Sequence, residues 1–327
     1  MNQSSMTRRT VLASLACAAG SMSGQQALAQ AAEKTVKFIL PNAVSSGVDT
    51  ITRSAQAALG KALGATVVVE NQPGAGGIVG VSALTRAAPD GSTLSVVSNN
   101  VVIFPSVYKT LPFDLNTDIT PIAVVGFTPI VLVVNPKVPA QNSRELVALL
   151  KAKPGVLNYA SSGNGTILHL AAEMYVDEAG AKVGHVPYKG VGPMLTDLIG
   201  GQVDFATAAL PSVQQHLKSG ALRAIGLGAA QRAAAAPEIP TMAEQGMPGY
   251  LVEAWFAVIG PKGMAAADVK RVHDAVQAAF ADPGVKEAMA KQGNVIHVSS
   301  TDFASGFFKS EMAKYAKLVK KAGIELQ

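Results

Sequence analysis

From Thr35 onward the sequence alternates short β-branched apolar runs with longer segments whose apolar residues recur at helical spacing. Few architectures accept that alternation. "TVKFIL" (35–40) predicts a buried strand. Residues 48–63 predict a helix with Ile51, Ala55, Leu59 and Ala62 on one face. "ATVVVE" (65–70) predicts a second strand, and "NQPGAGG" (71–77) a turn into a small-residue helix ending near Ala88. "PDG" (89–91) turns into a third strand over 92–98. This βαβαβ order implies a parallel sheet with helices on both faces.

Residues 119–134 are long, apolar and β-branched, with Gly126 and Pro129 in the middle. A strand continuing past a break there could leave one domain and enter the next. A second α/β series follows. Its first helix opens on Asn142-x-x-Glu145, a capping-box pair. Strands are expected at 157–160, 182–186, 203–208 and 221–227, between helices at 166–179, 191–200 and 211–219. "AWFAVIG" (254–260) is a candidate return crossing. Helices over about 268–280 and 302–322 close the chain, the last with Phe303, Phe307, Met312, Tyr315 and Val319 facing inward. The expected fold is α/β, with two lobes joined by two crossing strands and a cleft between them. Lobe 1 would be 30–128 plus 250–327, and lobe 2 would be 129–249.

Residues 1–29 read as an export signal rather than part of the fold. They hold Arg8-Arg9, an apolar run from Val11 to Ala19 and the cleavage pattern Ala27-Leu28-Ala29. The route is either the general secretory or the twin-arginine one, with cleavage near Ala29 and a periplasmic destination. The run is too short for a permanent membrane span. Cys17, the single cysteine, lies inside this signal. The mature chain therefore has no disulfide, thiolate metal site or cysteine nucleophile. A lipid anchor at Cys17 is disfavoured by Ser14, which stands where such signals want Leu. The mature balance is 25 basic against 22 acidic side chains, spread without an arginine-rich stripe, which argues against nucleic acid as a partner.

The candidate site lies in two strand-to-helix turns. Ser161-Ser162-Gly163-Asn164-Gly165-Thr166 carries no charge and little bulk. Ligands of open α/β folds sit at the carboxyl ends of strands, and a helix N-terminus offers unpaired N–H groups to an anion. The glycines allow backbone approach and the remaining side chains are neutral hydrogen-bonding groups. A tight turn capped by Asn164 or Thr166 explains the same residues without a ligand. Ser45-Ser46-Gly47 repeats the arrangement after the first strand, and Ser46-x-x-Asp49 fits either a ligand contact or a capping box. A dicarboxylate held between two such turns would bridge the lobes. Asn99-Asn100 and Thr207-Ala208 end two further strands and are candidate contacts.

Other chemistries fit less well. Gly74-x-Gly76-x-x-x-Gly80 lacks an acid at the end of the following strand, so a nucleotide role is disfavoured. The five histidines form no metal-ligand spacing. A hydrolase built on Ser162 and His169 is conceivable, but the Gly-x-Ser-x-Gly pattern is absent. No cofactor or metal is expected.

"VVENQPGAGG", "AAPDG", "LNYASSGNGT", "HVPYKG", "DLIGGQVD", "IPTMAEQGMPGY" and "AWFAVIGPKG", in this order across about 35–325, resemble the Bug family. These are the periplasmic solute-binding proteins of tripartite tricarboxylate transporters. The resemblance implies a two-lobed, type II-like Venus-flytrap protein without catalysis. It implies a small organic acid as ligand and inner-membrane transporter subunits as partners, and the chain is expected to be monomeric. Carried over to this sequence, the ligand contacts would be Ser45, Ser46, Asp49 and Ser161 to Thr166, with Asn99 and Asn100 a third region. Asp204 matches a family motif that serves structure. The sequence departs from the pattern at Asn42, where Phe is usual, and at Ser45-Ser46, where Gly-Gly is usual. It departs again at Ala208-Ala209, where Asp-Asn is frequent. Loss of that acid points to a ligand without an amine: a di- or tricarboxylate, or an aromatic acid. A ligand-sensing module for a signalling partner is the alternative reading.

Overall fold

The computed structural model describes residues 34–324 and Leu326. The export signal and its cleavage site lie outside the described residues. Thr35–Gln327 cluster as one compact unit. Among the described residues no helix is long and apolar enough to cross a membrane.

The first series comprises β1 (Thr35–Leu40), α1 (Gly47–Leu63), β2 (Thr66–Asn71), α2 (Ile78–Thr85), β3 (Thr93–Ser98) and α3 (Asn100–Val107). The connecting strand is β4 (Ile119–Val134). The second series is α4 (Ser143–Ala152), β5 (Asn158–Ser161), α5 (Ile167–Ala179), β6 (Gly184–Pro187), α6 (Val191–Gly200), β7 (Phe205–Ala209), α7 (Leu210–Lys218) and β8 (Arg223–Leu227). The chain closes with β9 (Glu253–Pro261), α8 (Ala266–Ala281), α9 (Pro283–Lys291), β10 (Val295–Ile296) and α10 (Thr301–Lys321).

The strands follow the order β2-β1-β3-β9-β4-β7-β5-β6, with β8 and β10 also on β4. β2, β1 and β3 are parallel, as are β6, β5 and β7. The parallel sets are what right-handed βαβ crossovers produce. Between them β9 and β4 run antiparallel to their neighbours. β4 pairs with β9 along Ile119–Pro129, then with β7 and β8 along Ile130–Val134. It is thus one continuous crossing strand. The return crossing lies where Val252 N–H donates to Gly228 O (2.7 Å) and Gly228 N–H to Ile130 O (2.8 Å), just before β9.

Three expectations change. β4 has no break at Gly126 or Pro129. Irregular register against β9 absorbs the misfit instead, with shifts between Pro121 and Ala123 and between Val124 and Gly126. Gly126 is where β10 crosses, and a Cβ there would run into Val295 O. In α10 the buried face is Ala304, Phe308, Glu311, Tyr315 and Val319, while Phe303 is 54% exposed. Two helices, α3 and α9, were not legible. Six of the eight residues of α3 are buried, so no regular polar face sets a helical period.

The end of each site helix is built locally. Ser46 caps α1, and Gly64 ends it in the left-handed conformation (φ 59°). Thr166 caps α5 by accepting from His169 N–H at 3.3 Å.

Candidate functional site

The loop from Pro41 to Ser46 leads from β1 into α1. Ser46 Oγ accepts from Asp49 N–H (3.2 Å), and Asp49 Oδ2 accepts from Ser45 N–H (3.0 Å). The carboxylate's other oxygen takes Arg53 Nε (2.8 Å) and Asn71 Nδ2 (3.0 Å). Asp49 is 3% exposed and all of these partners are protein. Its role is the capping one.

The loop from Ser161 to Thr166 leads from β5 into α5. Ser161 is fully buried, with Oγ 2.7 Å from His185 Nε2. Thr166 Oγ1 donates to Gly163 O (2.9 Å) and accepts from Ser162 Oγ (3.2 Å). Gly163 (φ 137°) and Gly165 (φ 68°) hold conformations that side chains disfavour. Gly165 N–H donates to His169 Nδ1 at 3.0 Å, which leaves the imidazole proton on Nε2, 3.7 Å from Glu173 Oε1.

Beneath this loop the rings of His169 and His185 stack at 4.0 Å, and those of His185 and Tyr159 at 4.7 Å. Burial, reinforced by His169, pushes the His185 imidazole down to about 4, so it is neutral at pH 7. Burial opposes ionisation of Glu173, but the bonds from His169 and Tyr159 outweigh it and hold the carboxyl below its ordinary range. The layer is a stack of aromatic rings, with His185 neutral, backed by the Glu173 carboxylate.

Both loops open onto two adjoining cavities that share Asn42, Ser46, Asn100, Ser162 and Val191. The first is narrow, about 60 Å³, and has an apolar wall that includes Ile51, Ile167, Leu168, Trp255 and Phe256. The second, of about 710 Å³, is bounded by Gly163, Asn164, Thr166, the Pro73–Gly77 turn and the Pro187–Val191 loop. Among the described residues no carboxylate lines either, and Lys189 is the one charged side chain lining the second. Ile167 N–H, the first of α5, donates to Asn100 Oδ1 at 2.9 Å. Among the described residues no protein acceptor meets the N–H groups of Gly47, Val48 or Leu168, all three in the first turns of α1 and α5 and all lining the first cavity.

Of the residues expected at the site, Ser46, Asn100, Ser162, Gly163, Asn164 and Thr166 line these cavities. The others do not. Asp49 is consumed by capping. Ser45 faces the outer side with Ser212, which donates to Ser45 O at 3.4 Å. Ser161 and Gly165 support the loop from beneath. Asn99 is buried and bridges Tyr315 Oη (2.6 Å), Glu253 O (3.2 Å) and Trp255 N–H (2.9 Å). Thr207 Oγ1 donates to Leu168 O (2.6 Å), and Ala208 is buried in the ladder opposite Val131. Of the Ala208-Ala209 pair, Ala209 is the one that lines the first cavity, and sequence reasoning missed the lining by Thr128 and the Tyr188–Lys189–Gly190 loop. That loop is tied to the site by Tyr188 N–H to Ser161 O (2.9 Å) and Gly190 N–H to Ser162 O (3.2 Å). The quoted "HVPYKG" was its signal. A Ser162–His169 nucleophile pair is not assembled, because the unprotonated nitrogen of His169 is taken by Gly165 N–H.

Residues 51–324 match the family model for the tripartite tricarboxylate transporter family receptor, TctC. The chain belongs to this family. Protein BugT of Bordetella pertussis is 33% identical to this TctC chain over 296 residues, covering 90% of this chain and 91% of BugT. The structure is similar to that of the periplasmic binding protein BugD, with a TM-score of 0.85 at 31% identity, covering 90% and 99% of the two chains. It is similar also to R. palustris Rpa4515 with adipate, with a TM-score of 0.86 at 28% identity, covering 90% and 98%. The two-lobed α/β fold of this TctC chain is that of periplasmic binding proteins.

Proposed function

We propose that the chain is an exported periplasmic solute-binding protein that captures a small carboxylate and delivers it to the membrane subunits of a tripartite tricarboxylate transporter. The observation that carries this reading is the convergence of two helix N-termini, α1 and α5, on one cleft that no carboxylate lines among the described residues. Their unpaired N–H groups and dipoles favour an anion without a basic side chain. The adipate bound by the similar Rpa4515 is of that chemical class. The ligand lies between lobe 1 (30–128 plus 250–327) and lobe 2 (129–249), which hinge at β4 and at the entry to β9. Contacts to both loops exist together in the closed form, so the ligand shifts the population toward it. Among the described residues no acid lines the cleft to hold an ammonium group, which supports an amine-free ligand. The protein is no enzyme on this reading.

The test is a thermal-shift screen of organic acids, amino acids and sugars, followed by calorimetry. Di- or tricarboxylates or aromatic acids are expected to stabilise the protein. Preferential binding of aspartate or glutamate, or indifference to every acid, contradicts the reading.

A further inference from the structure

The first cavity, at about 60 Å³, takes a few water molecules or one group of that size, such as a carboxylate. The body of an acid held there must extend past the shared residues into the second cavity, of about 710 Å³. Some side chains of that second cavity are committed to the fold. Tyr188 Oη donates to Asp197 Oδ2 (2.8 Å), and Thr166 Oγ1 donates to Gly163 O (2.9 Å). Tyr108 is not. Among the described residues its hydroxyl has no hydrogen-bond partner. Nor is it one of the four unpartnered atoms sealed from solvent, which are Asn42 Oδ1, Ser82 Oγ, Asn158 Oδ1 and Tyr250 Oη. It is therefore both free and accessible, on a half-buried residue that lines the second cavity.

The ring of Tyr108 is held edge-on against Phe104, with centroids 6.1 Å apart. A Cβ on Gly76 would lie 3.0 Å from Tyr108 Oη, so the hydroxyl sits against the Pro73–Gly77 turn that bounds the same cavity. In that turn the N–H groups of Ala75 and Gly76 also meet no protein acceptor among the described residues. Burial raises the Tyr108 pKa, so the phenol keeps its proton at neutral pH and can donate. Lys189 lines the cavity from the loop after β6, in the opposite series of strands, and has no ion pair or hydrogen bond among the described residues. An N–H group or an ammonium only donates, and a phenol can donate. The group that satisfies all of them is an acceptor without protons. We propose that Tyr108, the Ala75–Gly76 turn and Lys189 form a second anion subsite, which holds the far carboxylate of an elongated dicarboxylate, and that Tyr108 is its specificity-determining residue. This rests on the carboxylate reading above and narrows it to acids charged at both ends. A site with free polar groups rejects the analogue that leaves them unpaired.

The experiment is calorimetry on pairs matched in chain length: succinate with butyrate, glutarate with valerate, adipate with hexanoate and pimelate with heptanoate. Wild-type protein is expected to bind at least one dicarboxylate about tenfold or more tightly than its partner, as one hydrogen bond to a charged group would give. Tyr108→Phe is expected to lose most of that advantage while its affinity for monocarboxylates stays unchanged. A general disturbance of the cleft would weaken both members alike. Because the hydroxyl makes no bond in the free protein, the melting curve of free Tyr108→Phe is expected to coincide with that of wild type. Lys189→Gln is expected to reduce the dicarboxylate advantage by about two- to threefold at low salt, and by less at high salt. Equal affinity within every pair overturns the second subsite, even where acids bind well. A dicarboxylate advantage that survives Tyr108→Phe, or an equal loss for both members of a pair, overturns the assignment of Tyr108. Failure of all these acids to bind overturns the carboxylate reading and the subsite with it.

Discussion

Asn100 Oδ1 accepts the N–H of Ile167 at 2.9 Å, so a side chain at the start of α3 satisfies the first donor of α5. Asn100 is 67 residues distant in sequence, and its partner belongs to the opposite series of strands. The bond joins the two sides of the cleft where the proposed ligand enters. Asn100→Ala is expected to leave Ile167 N–H without its protein partner and cost about 1–2 kcal/mol. Scattering from the ligand-free variant should show a larger radius of gyration than wild type. An unchanged radius together with unchanged stability would mean that the bond holds nothing closed.

Gly165 packs against α3. With φ at 68°, a Cβ there would sit 2.7 Å from Val107 Cγ2. Left-handed strain and overpacking act together, so Gly165→Ala should cost about 2–4 kcal/mol, read as a lower denaturant midpoint. Gly163 differs: its nearest contact for a Cβ is Tyr188 O at 3.4 Å, and it lines the second cavity. Gly163→Ala is therefore the cleaner probe of binding, with the smaller loss of stability.

Ser45 holds φ 65°, a left-handed conformation outside glycine. Ser45→Gly is expected to stabilise the protein by about 1 kcal/mol, since the bond that uses this residue's N–H survives the change. Thermal unfolding measures it. A loss of stability would show that the serine side chain contributes more than its backbone strain removes.

His185 gives stability a pH dependence with a definite sign. Its folded pKa is lowered to about 4 from an ordinary value near 6.5, by burial first and His169 second. The unfolded chain thus binds the proton more readily. The contribution is complete above about pH 6.5 and declines as pH falls toward 4. His185→Phe should flatten this part of the curve and remove the 2.7 Å contact with Ser161 Oγ. Denaturation midpoints at half-unit steps of pH test both slopes.

Trp255 lines the first cavity, and its Nε1 donates to Glu311 Oε2 at 2.8 Å. It is the one tryptophan in the sequence, so emission reports on this wall alone. Saturating carboxylate is expected to shift its intensity or wavelength. A flat titration alongside a positive calorimetric signal would place the ligand away from that wall.

The order of strands and helices was legible because amphipathic period and turn residues are local properties. Asn142-x-x-Glu145 shows this: Asn142 Oδ1 accepts from Glu145 N–H at 3.0 Å and Glu145 Oε2 from Gln141 N–H at 2.7 Å. The two small-residue turns were legible for the same reason, and four residues of the second line the cleft. Only the tertiary structure decided which neighbour in a polar pair faces the cleft. Asn99 and Asn100 are chemically identical, yet one ties β9 to α10 and the other caps α5. The tertiary structure also decided that Asp49 serves its own helix and Arg53, and that Asn42 keeps an unpartnered oxygen. The physical reason is that composition and spacing set what a side chain can bond. Which partner it meets depends on chain segments tens to hundreds of residues away, brought alongside by β4 and the return into β9.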